Sequence, residues 1–582
     1  MNEFTAKLAT LWPEIIMLVG AVACLTAGLS PSSVVRKATP WVAAGAMVLA
    51  WVVTLVSPVD PHPLGFDGMV PFVKCLILGM GLILLLVNIG VPEALVQNIA
   101  SEKTAFTSAK FEPGNAVRGE FYAFFLLSLT GAMLTAGATD LVWLFLALEL
   151  TSLPTYVMIA TSRDRAAAQE SAIKYFFLGA MAAAVFLYGF ALIYGATGFT
   201  EFGPIAAAVA EQAGEGGEPS MLLILGVALA VLGLCFKVAA VPMHLYAADV
   251  YEGAATPVTA FLAVVPKIAG FSALILVLGL VGWGYSGDGG EAGSVGLPEP
   301  LAQLLAILAV LTMTIGNVLA IIQTNIKRVL AYSSIAHSGY LLTGLVAGLS
   351  ATSVAQTENA SGSGIAAVLF YLLVYAMATV GSFAVLACIR AKHPDGDREH
   401  DTVTYEDVAG LWWKNPVLAG IMLVSMLSLV GMPPLAGFLG KVYLIGGVFT
   451  AGYTVLAVII VINSAISAGY YLRIAMTCFF GEPSHEVNYA KVPTLIIGAG
   501  VTTAAAFMLG GYPADEIVKN AHDAVLPGEV VEAQPGVEPP GNEASEAAEG
   551  LYAPPDQDPL RDPVETSPAV SIHLPADSAI TF

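Results

Sequence analysis

Apolar stretches long enough to cross a bilayer recur along this chain as far as residue 511. A membrane-spanning helix needs about 20 mainly apolar residues. We place fourteen such spans, at 9–29, 40–57, 70–90, 119–138, 140–161, 170–196, 221–245, 256–282, 300–323, 329–349, 364–390, 416–450, 452–480 and 492–511. Charged residues make up 12% of the chain, whereas water-soluble proteins carry roughly 25%. The pattern predicts an all-α polytopic membrane protein with about fourteen transmembrane helices, embedded in a lipid bilayer.

The basic residues predict how the spans are oriented. When the spans are threaded alternately through the membrane, sixteen Lys and Arg residues fall on one side, four on the other and three within the membrane. Short loops on the inner side of a membrane carry the excess of basic residues. The side with sixteen is therefore the inner one, and both termini are predicted to face outward. The first span follows a single Lys7 without a cleavage pattern, so we expect it to be retained.

The C-terminal residues differ in composition from the rest of the chain. Residues 513–582 hold fourteen acidic and two basic side chains among many Pro, Ala and Gly residues, which is typical of a disordered, solvated tail. A specific binding role for this tail is the alternative. With the spans, this divides the chain into N-terminal helices (1–118, spans 1–3), a first repeat (119–282, spans 4–8), a second repeat (300–480, spans 9–13), a last span (492–511) and the tail (513–582).

Three lysines lie deep inside apolar spans. Lys237, Lys267 and Lys441 each occur close to one or two prolines. A lysine at the centre of a bilayer costs roughly 2.5–3.5 kcal/mol on insertion scales, so it is kept where it is used or well paired. Lys267 has no carboxylate nearby in the sequence that would stabilise its charge. This is the situation expected of a group that gains and loses a proton. These lysines predict an ion or proton pathway.

Two spans contain helix breaks beside these lysines. Span 7 is interrupted at Val241-Pro242, just after Lys237, and span 12 at Pro433-Pro434, just before Lys441. Broken helices at membrane depth are tolerated where protein or water satisfies the freed backbone groups. The lysine precedes the break in span 7 and follows it in span 12. This opposite order indicates two five-helix repeats of inverted topology.

Other ionisable residues complete the predicted pathway. Glu149 lies near the middle of span 5, and Lys237 is the nearest plausible partner for its carboxylate. Such a pair can act as a protonation switch, or it can be a static structural ion pair. His337 and His244 are candidate proton relays because imidazole titrates near neutrality, although a packed histidine bonded to a carbonyl group is the alternative for each.

Four further acidic residues fall near the predicted membrane boundaries, where simple solvation would account for them. They are Glu14, Asp140, Asp249 and Glu252.

Sites for cofactors and nucleic acids are not predicted. The five cysteines are scattered without a Cys-x-x-Cys pair, which argues against an iron–sulfur or zinc site built by this chain alone. There is no Walker loop, no dinucleotide-binding glycine pattern after a strand and no Ser-His-Asp arrangement. We expect this chain to bind no cofactor, metal or nucleic acid.

Several motifs resemble those of the antiporter-like membrane subunit N of respiratory complex I, the proton-pumping NADH:quinone oxidoreductase. They are Leu-Glu149-Leu-Thr-Ser-Leu-Pro, Phe-Lys237-x-x-x-Val-Pro-x-His244-Leu, Asp249-Val-Tyr-Glu-Gly-Ala, Pro266-Lys267, Asn325-Ile-Lys-Arg-Val-Leu-Ala-Tyr-Ser-Ser-Ile-Ala-His337 and Gly-Met-Pro-Pro-Leu-Ala-Gly-Phe-Leu-Gly-Lys441. The resemblance covers roughly residues 10 to 511. The chain departs from the family at Tyr246, Ala248 and Ala255, where Trp, Pro and Pro are usual, and these changes bear on the geometry of the link between spans 7 and 8.

The resemblance implies a role for each residue of the predicted pathway. Glu149 and Lys237 would be the coupling pair, Lys267 the central proton carrier and Lys441 the site that leads to the outer half-channel. His337 would lie on the axis between the last two.

The resemblance also implies the setting of the protein. The chain would lie in a bacterial cell (inner) membrane beside other complex I subunits, both antiporter-like and small hydrophobic ones. Redox chemistry with NADH, FMN, iron–sulfur clusters and quinone would take place in partner subunits. A subunit of an Mrp-type cation/proton antiporter, which shares the architecture, is the alternative function. A passive membrane scaffold would explain the helices but not the buried ionisable residues.

Overall fold

A computed structural model describes most of the chain. The described residues are 10–58, 61–89, 113–162, 166–214, 219–282, 297–348, 363–392, 399–400, 404–482, 487–489, 498–504, 517, 519 and 521. They lie within one compact unit, residues 1–528. The predicted tail and most of the predicted last span fall outside the described residues, although 498–504 are helical.

The architecture is almost entirely helical. The helices are α1 (Trp12–Gly28), α2 (Ser33–Val56), α3 (Met69–Asn88), α4 (Pro113–Ala136), α5 (Leu141–Thr161), α6 (Ala166–Thr197), α7 (Phe202–Gly214), α8 (Met221–Lys237), α9 (Ala247–Gly253), α10 (Thr256–Gly279), α11 (Glu299–Ile321), α12 (Ile326–Ala347), α13 (Gly364–Cys388), α14 (Tyr405–Val408), α15 (Leu411–Lys414), α16 (Pro416–Val430), α17 (Ala436–Thr450) and α18 (Thr454–Phe480). Among the described residues, ten helices are long and apolar enough to cross a membrane, and α1, α8, α16 and α17 are shorter apolar helices. The prediction of a helical polytopic membrane protein is confirmed, whereas the exact number of fourteen spans stays a prediction.

A small sheet is the exception to the all-α expectation. Strands β1 (Ile389–Lys392), β2 (Glu399–His400) and β3 (Val487–Tyr489) form an antiparallel sheet in the order β2-β1-β3. In this sheet β1 continues directly from the end of α13. The strands follow or precede the apolar spans, so hydropathy alone does not reveal them.

At each predicted break, one helix ends and a separate helix follows. Helix α8 ends at Lys237, and a turn leads to α9. The hydroxyl of Tyr246 donates to the carbonyl of Phe236 at 2.8 Å, so this departure from the family residue helps to close the end of α8. Helix α16 ends at Val430, and the φ of 86° at the following Gly431 lies in the left-handed region that glycine adopts readily. The prolines that follow lack the backbone N–H that would continue each helix.

The centre of the bundle is formed by α10, α12 and α13, in which almost every residue is buried. Small residues allow close helix contact, as at Gly316, where an added Cβ would lie 2.6 Å from the backbone nitrogen of Ala336. Outer helices expose large apolar side chains such as Leu55 and Leu146. Helix α10, which carries Lys267, is therefore buried in the middle of the bundle.

Candidate functional site

Glu149 and Lys237 form a buried ion pair between α5 and α8. The Lys237 Nζ lies 3.1 Å from Glu149 Oε1, and the two side chains are 2% and 20% exposed, respectively. The same ammonium donates to Ser152 Oγ at 2.5 Å and to the carbonyl of Leu148 at 3.4 Å. All three Lys237 donors are thus used. The pair is close enough to couple the protonation of one partner to the charge of the other.

Lys267 projects from α10 toward α12, where it meets two serines. Its Nζ donates to the carbonyl oxygen of Ser334 and, at 2.7 Å, to Ser338 Oγ. The Ser338 hydroxyl in turn donates to the carbonyl of Val238 at 2.5 Å. Val238 directly follows Lys237 at the end of α8, so one hydroxyl connects Lys267 with the first helix break.

His337 uses both ring nitrogens inside the protein. Its Nδ1 lies 2.7 Å from the Tyr371 hydroxyl and its Nε2 lies 2.8 Å from the Tyr471 hydroxyl. The Tyr471 hydroxyl also bonds Ser333 Oγ. In either neutral tautomer one nitrogen donates and the other accepts. The imidazole is therefore oriented by two phenols from α13 and α18.

Lys441 is held at the second break. Its Nζ donates to the carbonyl of Val430 at 2.8 Å and to Ser464 Oγ at 2.9 Å, and lies 5.0 Å from the centre of the Tyr340 ring. Val430 is the last residue of α16, so its carbonyl has no partner within a continuing helix. The Tyr340 ring is also 5.6 Å from the His337 ring. Lys441 therefore satisfies a carbonyl group freed by the break and lies one aromatic ring away from His337.

Hydroxyl groups around Ser334 were missed by the sequence analysis. Tyr375 donates to Ser334 Oγ at 2.8 Å, and the Tyr251 hydroxyl lies 3.3 Å from the same atom. Ser334 and Ser338 are one helical turn apart on α12, and Ser333 is one turn before His337. A polar stripe with this four-residue spacing in an apolar helix was a usable signal.

His244 is not brought together with the other candidates. It is partly exposed, and its Nδ1 has no hydrogen-bond partner among the described residues. Among the residues that the structure describes, Lys267 and Lys441 form no salt bridge. The geometry pairs Glu149 with Lys237, connects Lys267 with the end of α8 and places one tyrosine ring between His337 and Lys441. The relay role of His244 is left without a contact to the other candidates.

Asp249 and Glu252 are not simply solvated, contrary to the sequence-based expectation. Arg328 Nη1 lies 2.9 Å from Asp249 and 2.8 Å from Glu252, and Lys174 Nζ lies 2.9 Å from Asp249. Partial burial acts to raise the pKa of the Asp249 carboxyl, but hydrogen bonds from Lys174 and Arg328 outweigh it and hold the pKa below its ordinary value. This network ties α6 and α9 to α12. The basic partners lie on distant segments, so solvation had been the simpler interpretation.

Within the described ranges, no group of three or more His, Cys, Asp or Glu side chains could hold a metal ion. The expected lack of a cofactor in this chain stays a prediction.

Comparison with known proteins identifies the family. Residues 138–467 match the family described as "NADH:quinone oxidoreductase/Mrp antiporter, TM". NADH-quinone oxidoreductase subunit N of Trichlorobacter lovleyi is 42% identical over 411 residues, which cover 70% of this chain and 77% of the relative. A chain of respiratory complex I from Thermus thermophilus is 32% identical with a TM-score of 0.66, covering 87% of this chain and 98% of that one.

A more distant structure shares the fold alone. A chain of the Mrp complex from Dietzia sp. is 20% identical with a TM-score of 0.63, covering 88% of this chain and 97% of that one. The sequence relatives are more similar and span most of both chains. The chain therefore belongs to the family of NADH-quinone oxidoreductase subunit N, within the antiporter-like membrane proteins.

Proposed function

We propose that this chain carries protons across a bacterial inner membrane as subunit N of an NADH:quinone oxidoreductase, through Glu149, Lys237, Lys267, His337 and Lys441. Members of this family are proton-translocating membrane subunits. Electron transfer through NADH, FMN, iron–sulfur clusters and quinone takes place in partner subunits, and this chain binds none of these groups. Its neighbours in the membrane are antiporter-like and small hydrophobic subunits, and both termini face outward.

The observation that carries the proposal is the series of buried lysines with a serine hydroxyl and a tyrosine ring between them. Ser338 Oγ lies between Lys267 and the carbonyl of Val238 after α8, and the Tyr340 ring lies between the His337 ring and Lys441. A hydroxyl group both donates and accepts hydrogen bonds, so the Ser338 hydroxyl can take part in proton transfer. Buried ammonium groups without a carboxylate partner are costly in a membrane, which favours a functional role.

The Glu149–Lys237 pair couples proton uptake to this series. When Glu149 is ionised, its charge favours the charged form of Lys237, and when Glu149 is protonated that attraction is lost. At about 3 Å in an effective dielectric of 20, two unit charges interact by about 5 kcal/mol, an upper figure before screening. A change of this size alters the charge of Lys237 and, through it, the affinity of Lys267 for a proton. A static ion pair would lack this effect on pumping.

The two halves of the chain have matching roles in this proposal. We assign residues 119–282 and 300–480 to two repeats of inverted topology. This assignment is supported by the positions of two lysines: Lys237 ends α8 just before one break, whereas Lys441 lies in α17 just after the other. Broken helices at repeat interfaces are where membrane transporters place their ion sites.

The test uses the whole complex reconstituted in vesicles, with Lys237→Ala and Lys441→Ala variants. Each is expected to lower the number of protons pumped per NADH oxidised while the complex still assembles. Lys37→Ala is the matched control, because Lys37 is an exposed lysine outside this series. Normal pumping in both variants would overturn the assignment of these residues.

The alternative is an Mrp-type cation/proton antiporter, with which this chain shares its fold. Purification of the tagged chain in mild detergent separates the two functions. Co-purification with flavin, iron–sulfur centres and NADH:quinone activity supports subunit N. A small assembly without redox centres would support the antiporter.

A further inference from the structure

A second buried Glu–Lys pair lies outside the proposed proton series. Lys74 Nζ of α3 is 2.8 Å from Glu14 Oε1 of α1, and the two side chains are 8% and 3% exposed, respectively. The expectation that simple solvation accounts for Glu14 is therefore wrong. The two residues are 60 positions apart, and they meet because α1 and α3 each pack against α2 and α4.

The pair borders a cavity of about 140 Å³. Its walls come from the first residues of α1, α3 and α5 and the last residues of α2 and α4, together with the segment that links α2 to α3. Successive helices cross the bundle in opposite directions, so these five ends lie at the face where the N-terminus begins. Polar groups from Thr54, Ser57 and His62 line the cavity beside apolar side chains such as Trp143.

The pair has unused hydrogen-bonding capacity. Neither oxygen of Glu14 has a donor in hydrogen-bond geometry among the described residues, although Oε1 is in ionic contact with Lys74. Lys74 donates to the carbonyl of Thr10 at 3.3 Å. An ionised carboxylate with no donor is costly to bury. A buried water needs about 10–15 Å³ of space and two to four polar partners. The cavity has the space, and Thr54, Ser57 and Glu14 are among the polar residues that line it.

The imidazole of His62 lines the cavity in its neutral form. Its Nδ1 accepts from the backbone N–H of Leu64 at 3.2 Å, so its Nε2 carries the proton that is donated to the carbonyl of Ala138 at 3.0 Å. Burial lowers the pKa of His62, although the carbonyl of Ala138 and the charge of Asp67 oppose this effect.

The nearby carboxylates are engaged elsewhere. Asp67 accepts from the backbone N–H of His62 at 2.6 Å, and Asp140 accepts from the N–H of Trp143 at 2.7 Å. Of the titratable groups that line the cavity in the described part of the chain, Glu14 is therefore the one whose oxygens have no hydrogen-bond donor.

We propose that Glu14, Lys74 and this cavity form a hydrated proton-binding site that exchanges with water at the N-terminal face, separately from the lysine series. A hydronium in the cavity transfers its proton to Glu14 Oε2 and leaves as water, and release is the reverse transfer. Lys74 keeps its ammonium, so the pair changes from net neutral to a single positive charge. The ligands are water and the proton.

The first measurement tests whether water enters. Thr54→Cys and Leu55→Cys are made in a Cys75→Ala background in the reconstituted complex and treated with a small charged methanethiosulfonate. Thr54 is 7% exposed and lines the cavity, whereas its neighbour Leu55 is 70% exposed on the outer surface of α2. We expect Thr54→Cys to react faster by about tenfold or more, because formation of the thiolate requires water. A Thr54→Cys rate equal to or below that of Leu55→Cys overturns the proposal.

The second measurement tests whether Glu14 takes up a proton. Infrared difference spectra of the complex are recorded over a pH titration in H₂O and D₂O. A carboxylic acid band that shifts in D₂O, disappears in Glu14→Gln and persists in Lys237→Ala supports the site. A spectrum in which Glu14→Gln removes no band overturns it. Neither measurement depends on pumping, so failure of the proposed lysine series would leave this result intact.

Discussion

Lys267 and Ser338 form a direct link between the centre of the bundle and the first helix break. The ammonium of Lys267 donates to Ser338 Oγ at 2.7 Å, and that oxygen donates its own proton to the carbonyl of Val238 at 2.5 Å. One hydroxyl is therefore an acceptor from a lysine and a donor to the backbone beside Lys237. In the proposed function, this position controls how a change at the Glu149–Lys237 pair reaches Lys267.

Ser338→Ala should weaken this coupling. A hydrogen bond to a charged group contributes about 1.5–3 kcal/mol, so proton pumping by the complex should fall by about tenfold or more at unchanged assembly. Ser272→Ala is the matched control, since Ser272 is a buried serine on the helix of Lys267 whose hydroxyl has no partner among the described residues. Proton pumping is measured per NADH oxidised. Equal pumping in the two variants would contradict the role given to Ser338.

Tyr471→Phe should disturb His337 without changing packing volume much. The substitution removes the hydroxyl that lies 2.8 Å from Nε2 and also bonds Ser333. A typical buried hydrogen bond contributes about 0.5–1.5 kcal/mol, so we expect a loss of pumping of up to about tenfold.

The control for this variant is Tyr188→Phe, because Tyr188 is 61% exposed. If Tyr471→Phe pumps as well as Tyr188→Phe, His337 does not need its Nε2 partner, and a packed histidine would be the better interpretation.

Gly437→Ala should prevent correct closure of the second break. A Cβ at this position would lie 1.7 Å from the carbonyl oxygen of Ser428, so α16 and α17 would have to move apart. We expect a destabilisation of several kcal/mol, of the kind caused by overpacking, with a lower unfolding temperature and poor incorporation into the complex. Gly469→Ala is the control, since nothing lies within 4 Å of its added Cβ and alanine favours a helix. A normal unfolding temperature for Gly437→Ala would contradict the close approach.

The network of Arg328, Asp249 and Glu252 should make stability depend on pH. The folded-state pKa of Asp249 is lowered from its ordinary 3.8, so its stabilising effect is complete above that value and is lost as the pH falls through the folded-state pKa. Asp249 is 40% exposed, so solvent screening limits the effect to below about 1 kcal/mol. The unfolding temperature of the complex is measured from about pH 6 to about pH 2.5, which covers the range below the ordinary pKa of the carboxyl.

Arg328→Gln should flatten the acid end of this profile, because the carboxylate of Asp249 then loses one of its two basic partners. A profile unchanged by Arg328→Gln would show that the network contributes no measurable stability under acid conditions.

Several parts of the site could be predicted because they depend on local properties. The breaks after Lys237 and before Lys441 follow from prolines that lack an N–H and from a glycine in the left-handed region. The Glu149–Lys237 contact was anticipated from the need to pair a buried carboxylate. Ser338, Tyr371 and Tyr471 were not anticipated, because a serine or tyrosine in an apolar helix more often reflects packing and local bonding.

The sequence by itself determined that this protein is a helical membrane bundle, where two of its helices end and that Lys237, Lys267 and Lys441 are buried. Hydropathy, helix-breaking residues and the cost of a buried charge act over one or two turns of the chain, so they can be read along it. The tertiary structure decided which groups meet: Lys74 with Glu14, Arg328 with Asp249, and Lys267 with Ser338. Those contacts depend on the rotation and spacing of helices far apart in sequence, which arise only when close packing of small and large side chains brings the helices together.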